Sequence, residues 1–124
     1  MEPPRMMLDW NDYHRQILAT LAQLGRLSPD TLRGYRTLSD AGTKTQHLEP
    51  KTRELIALAV AVTVRCDGCI IVHTKAALQH GATREEIAEA LGVAVAVNAG
   101  AALIYSTRVL DAAASAEDGA KAPA

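Results

Sequence analysis

The stretch Pro50-Lys51-Thr52-Arg53-Glu54-Leu55-Ile56-Ala57-Leu58-Ala59-Val60-Ala61-Val62-Thr63-Val64 reads in two ways. Its Ile and Val residues would suit a strand buried on both faces. Its length, the Pro50 start and the interspersed alanines decide for a helix instead. From Leu55 to Val64 that helix is apolar nearly all round, so its own domain or neighbouring subunits must cover most sides. No other stretch carries a strand or hairpin signal, and no internal repeat is present. The expected fold class is therefore all-α, with about six helices.

Directly after this helix comes Arg65-Cys66-Asp67-Gly68-Cys69-Ile70-Ile71-Val72-His73, which holds both cysteines of the chain. A new helix is expected to start at Asp67-Gly68 and run to His80, with Gly81 as its C-terminal residue. Both sulfurs then fall in its first turn, where free amides and the helix dipole favour a thiolate. On a helix, Cys66, Cys69 and His73 lie within about 60° of arc. Cys69 and His73 are an i,i+4 pair, close enough for direct or water-bridged proton transfer. The C-x-x-C spacing also allows a disulfide. A dithiol beside a base is what these residues support on their own.

Two other readings of the pair stay open. The cysteines could be inert core thiols. They could also belong to a zinc site, but a fourth ligand is hard to find. His80 shares the face yet lies about 21 Å along the axis from Cys66. His14 or His47, or a second chain, would have to supply the ligand. Glu54 has a bland reading too, as an acidic residue favouring the positive end of its helix. Leu55, Ile56 and Leu58 follow it at once, which borders the carboxylate on a packed interior or interface and makes it a candidate proton shuttle. In a simple hairpin turning at Cys66, however, Glu54 would lie opposite residues near Leu78, beyond His73. A steep crossing, a water bridge or a neighbouring subunit would have to close that gap.

Outward from this centre, Leu8, Tyr13, Ile17, Leu18, Leu21 and Leu24 have helical spacing, and Gly25 is a natural stop. Ser28 and Pro29 then read as N-cap and first turn of a helix carrying Leu32, Tyr35 and Leu38 inward and ending near Gly42. Thr83-Arg84-Glu85-Glu86 is a capping box opening a helix with Ile87, Ala90, Leu91, Ala94 and Val95 on one side. Asn98-Ala99-Gly100 is expected to bend or break that helix, or to mark a close helix contact, before a last segment from Ala101 to Leu110. His14, His47 and His80 read as surface or capping residues, and Trp10, Tyr13 and Tyr105 as packing residues. The chain is expected to be one domain over residues 1–112, followed by a flexible, Ala-rich tail over 113–124.

Composition bounds the function. The 124 residues are 48% hydrophobic but only 3% aromatic, with no Phe. Alanine packs helices closely but contributes little burial per residue, so a homo-oligomer is expected. A net charge of -1 gives no general attraction to nucleic acid or anionic lipid. The Leu55–Val64 run is too short to span a bilayer. Residues 1–5 lack an apolar signal core, which points to a cytoplasmic protein and thus to reduced thiols.

At Glu54, Cys66-x-x-Cys69 and His73, followed by His80-Gly81-Ala82-Thr83 and Glu85-Glu86-Ile87, the chain resembles the carboxymuconolactone decarboxylase-like superfamily, specifically its alkylhydroperoxidase D-like (AhpD-like) branch. The likeness covers about residues 50–110, with a weaker one over Leu27 to Gly42. It implies a helical bundle assembling into homo-trimers or homo-hexamers, with active sites near subunit contacts. It implies an antioxidant thiol peroxidase or a disulfide reductase, without cofactor or metal. In that pattern Cys69 attacks the peroxide and becomes a sulfenic acid, and Cys66 is proton donor and resolving thiol. His73 and Glu54 form the proton relay. An external dithiol or protein reductant, in some members acting with a peroxiredoxin, regenerates the pair. The best-known members carry a second histidine just before the second cysteine, where this chain has Gly68. The decarboxylase branch lacks the cysteine pair, so lactone decarboxylation is not expected. The alternatives are a protein-disulfide reductase and a non-catalytic oligomeric scaffold or metal binder.

Overall fold

The computed structural model describes residues 6–121 of the chain. Six helices account for most of it: α1 (Trp10–Leu27), α2 (Pro29–Thr45), α3 (Pro50–Val64), α4 (Asp67–Gln79), α5 (Arg84–Tyr105) and α6 (Thr107–Lys121). There is no strand among the described residues, and the fold is all-α as expected. The leader reading on residues 1–5 and the last part of the expected tail, 122–124, lie outside the described residues.

The centre is the α3–α4 hairpin, with α5 packed on α3 and the α1–α2 hairpin leaning on α4 through α1. The ambiguous stretch is α3, and Pro50 opens it at the first helical position. Leu58, Ala77 and Ala82 form the buried cluster between α3 and the end of α4, with Leu55 and Ile87 packed against it. Two of these three are alanines, which is why the helices approach closely while each residue buries little area. Gly81 closes α4 with a positive φ of 86°. That conformation lets the Ala82 amide donate to Ala77 O at 2.9 Å and turns Ala82 into the core.

The Thr83 capping box forms in full. The Thr83 hydroxyl accepts from the Glu86 amide at 3.1 Å, and Glu86 accepts from the Thr83 amide at 2.9 Å. Ser28 takes its N-cap position before α2 but bonds the Thr31 hydroxyl, at 2.6 Å, in place of a backbone amide.

Several expected boundaries move. Gly25 does not stop α1, which continues to Leu27. A Cβ at Gly25 would lie 3.4 Å from Leu32 Cγ, so this glycine serves the close approach of α1 and α2. Helix α2 passes Gly42 to end at Thr45, with Gln46 in the left-handed region as its cap. Gly42 instead faces Arg53, whose guanidinium donates to its carbonyl. Tyr35 and Leu38, expected inward, are exposed, and of the three only Leu32 is half-buried. Asn98 and Gly100 do not break α5. Asn98 Nδ2 donates to Ala94 O at 2.7 Å and to Thr63 Oγ1 on α3 at 2.9 Å, which makes it the close helix contact. The tail expected to be flexible from residue 113 is helical as far as Lys121, with side chains exposed beyond Ala113. Its alanines favour helix even where nothing packs on them.

Candidate active site

The chain reverses between α3 and α4 at Arg65, which sits in the left-handed region with φ 57° and ψ 53°. Cys66 follows as the N-cap of α4. Its amide donates to Ala61 O at 3.0 Å, and its carbonyl accepts from Ile70 N at 2.9 Å. A thiol at an N-cap takes the place usually held by a Ser or Asp oxygen. Accordingly, the Cys69 amide donates to Cys66 Sγ at 3.1 Å. Cys66 and Cys69 are joined as a disulfide, with their Cα atoms 5.2 Å apart. The sequence spacing allowed this bond, and the helix start supplies its geometry.

One helical turn beyond Cys69, His73 Nδ1 lies 2.6 Å from Glu54 Oε2. The side chains are 31% and 21% exposed, so the pair is only partly screened by water. The expected obstacle, Glu54 sitting too far along α3, is overcome within one chain and by direct contact. Neither a water nor a second subunit is needed. No acidic residue lies in the first turn of α3, so the helix-dipole reading of Glu54 gives way to the contact with His73. With Nδ1–H donating to the carboxylate, Nε2 of a neutral His73 carries the lone pair and is free to accept a proton.

Cys66, Cys69 and His73 line one groove of about 890 Å³ between the N-terminal end of α4 and the α1–α2 hairpin. Its walls are mainly aliphatic, from Ile17, Leu18, Leu21, Leu24, Leu32 and Val72. Ile17 lies across the start of α4: a Cβ built on Gly68 would stand 3.0 Å from Ile17 Cδ1. The space that a larger side chain at position 68 would need is therefore occupied by α1.

Sequence reasoning missed the tether that holds α1 there. Lys75 Nζ on α4 donates to His14 Nδ1 on α1 at 3.1 Å, across 61 positions of sequence. No local spacing signals such a pair. His14 is thus a packing partner of α4, while His47 and His80 lie exposed outside the groove. No group of three or more His, Cys, Asp or Glu side chains placed to hold a metal ion occurs among the described residues.

Known proteins match along most of this framework. The profile of the carboxymuconolactone decarboxylase family matches residues 29–112. An uncharacterized protein of Haemophilus influenzae is 45% identical over 107 residues, covering 86% of this chain and 95% of that protein. "Uncharacterized protein 4 in cox locus" of Paracoccus denitrificans is 36% identical, over 74% of this chain and 83% of its own length. Among solved structures, a carboxymuconolactone decarboxylase family protein from Legionella pneumophila superposes with a TM-score of 0.68 at 38% identity. It covers 83% of this chain and 92% of its own. The profile, the sequence relatives and the fold agree: the chain belongs to the carboxymuconolactone decarboxylase family.

Proposed function

We propose that the chain is an antioxidant thiol oxidoreductase that reduces peroxides by cycling Cys66 and Cys69 between dithiol and disulfide. The observation that carries this reading is the His73–Glu54 contact at 2.6 Å, set one turn from a disulfide at a helix N-terminus. Those three elements together supply an activated sulfur, a base and a partner that orients the base.

In the reduced protein His73 Nε2 takes the proton of the Cys69 thiol. The thiolate attacks the distal peroxide oxygen, the O–O bond breaks, and the alcohol or water leaves with a proton from Cys66. Cys69 is now a sulfenic acid. Cys66 then attacks Cys69 Sγ, the S–O bond breaks, water leaves, and the disulfide forms. An external dithiol returns two electrons and two protons to restore the pair. The sum is one peroxide and one dithiol converted to an alcohol, water and a disulfide. A reducing cytoplasm is the setting that can renew such a dithiol.

Stopped-flow thiol loss in the reduced protein, with hydrogen peroxide and an organic hydroperoxide, tests the proposal. Cys69→Ser is expected to abolish the reaction, whereas Cys66→Ser leaves a sulfenic acid on Cys69 that a dimedone probe captures. A Cys69→Ser protein that consumes peroxide at the wild-type rate refutes the assignment. Gly68 favours one second reading, in which the dithiol serves an oxidised protein such as a peroxiredoxin. Lacking the family's additional histidine, the site has one proton station fewer for attack on a peroxide. Slow peroxide reaction with rapid reduction of a protein disulfide would select that reading.

A further inference from the structure

The groove beside the disulfide has a charge pattern that the peroxidase reading does not use. Arg26, Arg33 and Arg36 line it together with the aliphatic residues, and no Asp or Glu does. In a chain whose net charge is -1, three guanidiniums and no carboxylate on one apolar surface is a local excess of positive charge. Arg33 is paired with the exposed Asp30 one turn away. Arg26 and Arg36 have no ion-pair partner among the described residues. Arg26 lies nine residues beyond Ile17 on α1, about 13 Å along the axis at the α-helical rise. Ile17 rests on Gly68 between the two cysteines, so the groove runs from a reactive sulfur toward Arg26; Gly25 meeting Leu32 sets Arg36 part-way along, level with about Leu21. The groove volume of about 890 Å³ is within the range of small-molecule sites.

We infer that the groove takes a long-chain fatty acid hydroperoxide, with its carboxylate on Arg26, its peroxide at Cys69, and the unpaired Arg36 adding positive charge along the way. The inference rests on the peroxidase reading above and names its substrate class. An extended chain advances about 1.2 Å per bond, so about 13 Å corresponds to a peroxide roughly ten or eleven bonds from the carboxylate. That is a mid-chain position. The aliphatic walls cover the methylenes between, and a planar guanidinium is matched to a carboxylate. The reaction forms no new product type. The distal oxygen passes to Cys69, the hydroxy fatty acid leaves, and Cys66 closes the disulfide with release of water. An external dithiol again resets the pair.

The test compares linoleic acid hydroperoxide with its methyl ester in steady state, using the full chain with dithiothreitol as reductant. The free acid is expected to have a kcat/KM about tenfold higher, expressed in KM, since each tenfold corresponds to one well-placed interaction. In the double variant Arg26→Gln/Arg36→Gln the acid-to-ester ratio is expected to fall to near one. A wild-type ratio of one, or a ratio kept by the double variant, overturns the inference. A binding arm separates this failure from failure of the peroxidase reading. Oleate should displace a fluorescent fatty acid probe from Cys66→Ser/Cys69→Ser protein, and methyl oleate should do so at least tenfold more weakly. If peroxide turnover is absent but this carboxylate-dependent binding persists, the groove assignment stands and the chemistry fails. If turnover is present but oleate does not bind, the groove assignment fails, as it would were the groove filled by another copy of the chain.

Discussion

Glu54 and His73 come from different helices and meet at 2.6 Å, and a proton relay through them requires that contact. Glu54→Gln keeps the shape and can still accept a hydrogen bond, but it removes the negative charge that supports an imidazolium. We expect thiol oxidation by peroxide to slow about a hundredfold, the lower end of what a positioned acid–base group contributes. The Tm should change little, because the pair is partly exposed and surface pairs stabilise weakly. An equal fall in rate and Tm would mark the pair as structural. Gly68 offers a second test. A methyl group there meets Ile17 Cδ1 at 3.0 Å, the tip of a flexible side chain that can move aside. Alanine also gains about 0.5–1 kcal/mol over glycine inside a helix, so Gly68→Ala should be near neutral. Gly68→His cannot be accommodated by a small shift. It should cost about 1–3 kcal/mol as overpacking, measured by urea unfolding. Ile17→Ala in the same chain should recover most of that loss, and no recovery would mean that Ile17 is not the obstacle. The cysteine and histidine placement was legible because it depends only on local helix geometry. The Glu54 contact and the Ile17–Gly68 contact were not, because each is made between helices that the sequence does not align.

Helix α3 was read correctly from Pro50 and its alanines, and α4 and α5 from Gly81 and the capping box, because these signals act within one turn. Boundaries failed where a residue serves a neighbouring helix. Gly25 and Gly42 looked like stops, yet they accommodate Leu32 and Arg53. Asn98 read as a break or as a close helix contact, and it is the contact: its amide is satisfied by Ala94 O and Thr63 Oγ1, so nothing competes with the helix. The reversal at Arg65 carries no glycine to announce it. The start of α5 is the element where stability can be tested most directly. Thr83→Ala removes the cap to the Glu86 amide and should cost about 1 kcal/mol in urea unfolding. Glu86 also bonds Lys51 at 2.9 Å, fastening the start of α5 to the start of α3. The Lys51 ammonium, with the Thr83 amide second, holds the Glu86 carboxyl below its ordinary value. The hydrogen bond that the Lys51 ammonium donates to Glu86 in turn holds Lys51 above its ordinary value. A lowered carboxylate stabilises the fold above the unfolded value and loses that contribution as pH falls through the folded one. A raised amine does so below its unfolded value and loses it as pH rises through the folded one. Both contributions are therefore present at neutral pH. Lys51→Gln should flatten the fall in Tm on the acid side, by a small amount because both groups are exposed to water. An unchanged acid limb would show that the pair does not couple to folding.

For a single chain the interior is thin: among the described residues the buried apolar ones are Leu58, Ala61, Ile71, Ala77, Ala82 and Ala94, and none is a large side chain completely enclosed. The apolar surface left outside is extensive. On α3, Ile56, Val60 and Val64 recur every four residues and are 50%, 55% and 64% exposed, so one stripe of the helix that had to be covered is still bare. On α5, Val93, Val97 and Ile104 continue an exposed apolar side. The α5–α6 stretch Arg84–Lys121 even contains a window long and apolar enough to cross a membrane by length and composition, with 6% of it buried. Apolar side chains exposed in a row on neighbouring helices mark a contact with protein or lipid. Three features favour protein. The α3 stripe and the α5 side belong to helices that pack on each other. Asn98 and Thr63 bond at that junction. The Thr83–Glu86 and Lys51 contacts at the start of α5 are polar and exposed to water. A second and third copy presenting the same alanine-rich faces would cover both surfaces without large side chains, in the homo-trimer or homo-hexamer that the family resemblance implies. Sedimentation equilibrium at micromolar concentration should show a stable assembly of three or six chains. Val60→Glu and Val97→Glu each place a charge on a surface that is exposed in the single chain, so the subunit fold should survive, as judged by circular dichroism. Each should shift the mass toward one subunit, because burying an unpaired carboxylate at an interface costs several kcal/mol. A wild-type monomer at that concentration, or recovery of the wild type with liposomes on flotation, would sink this account.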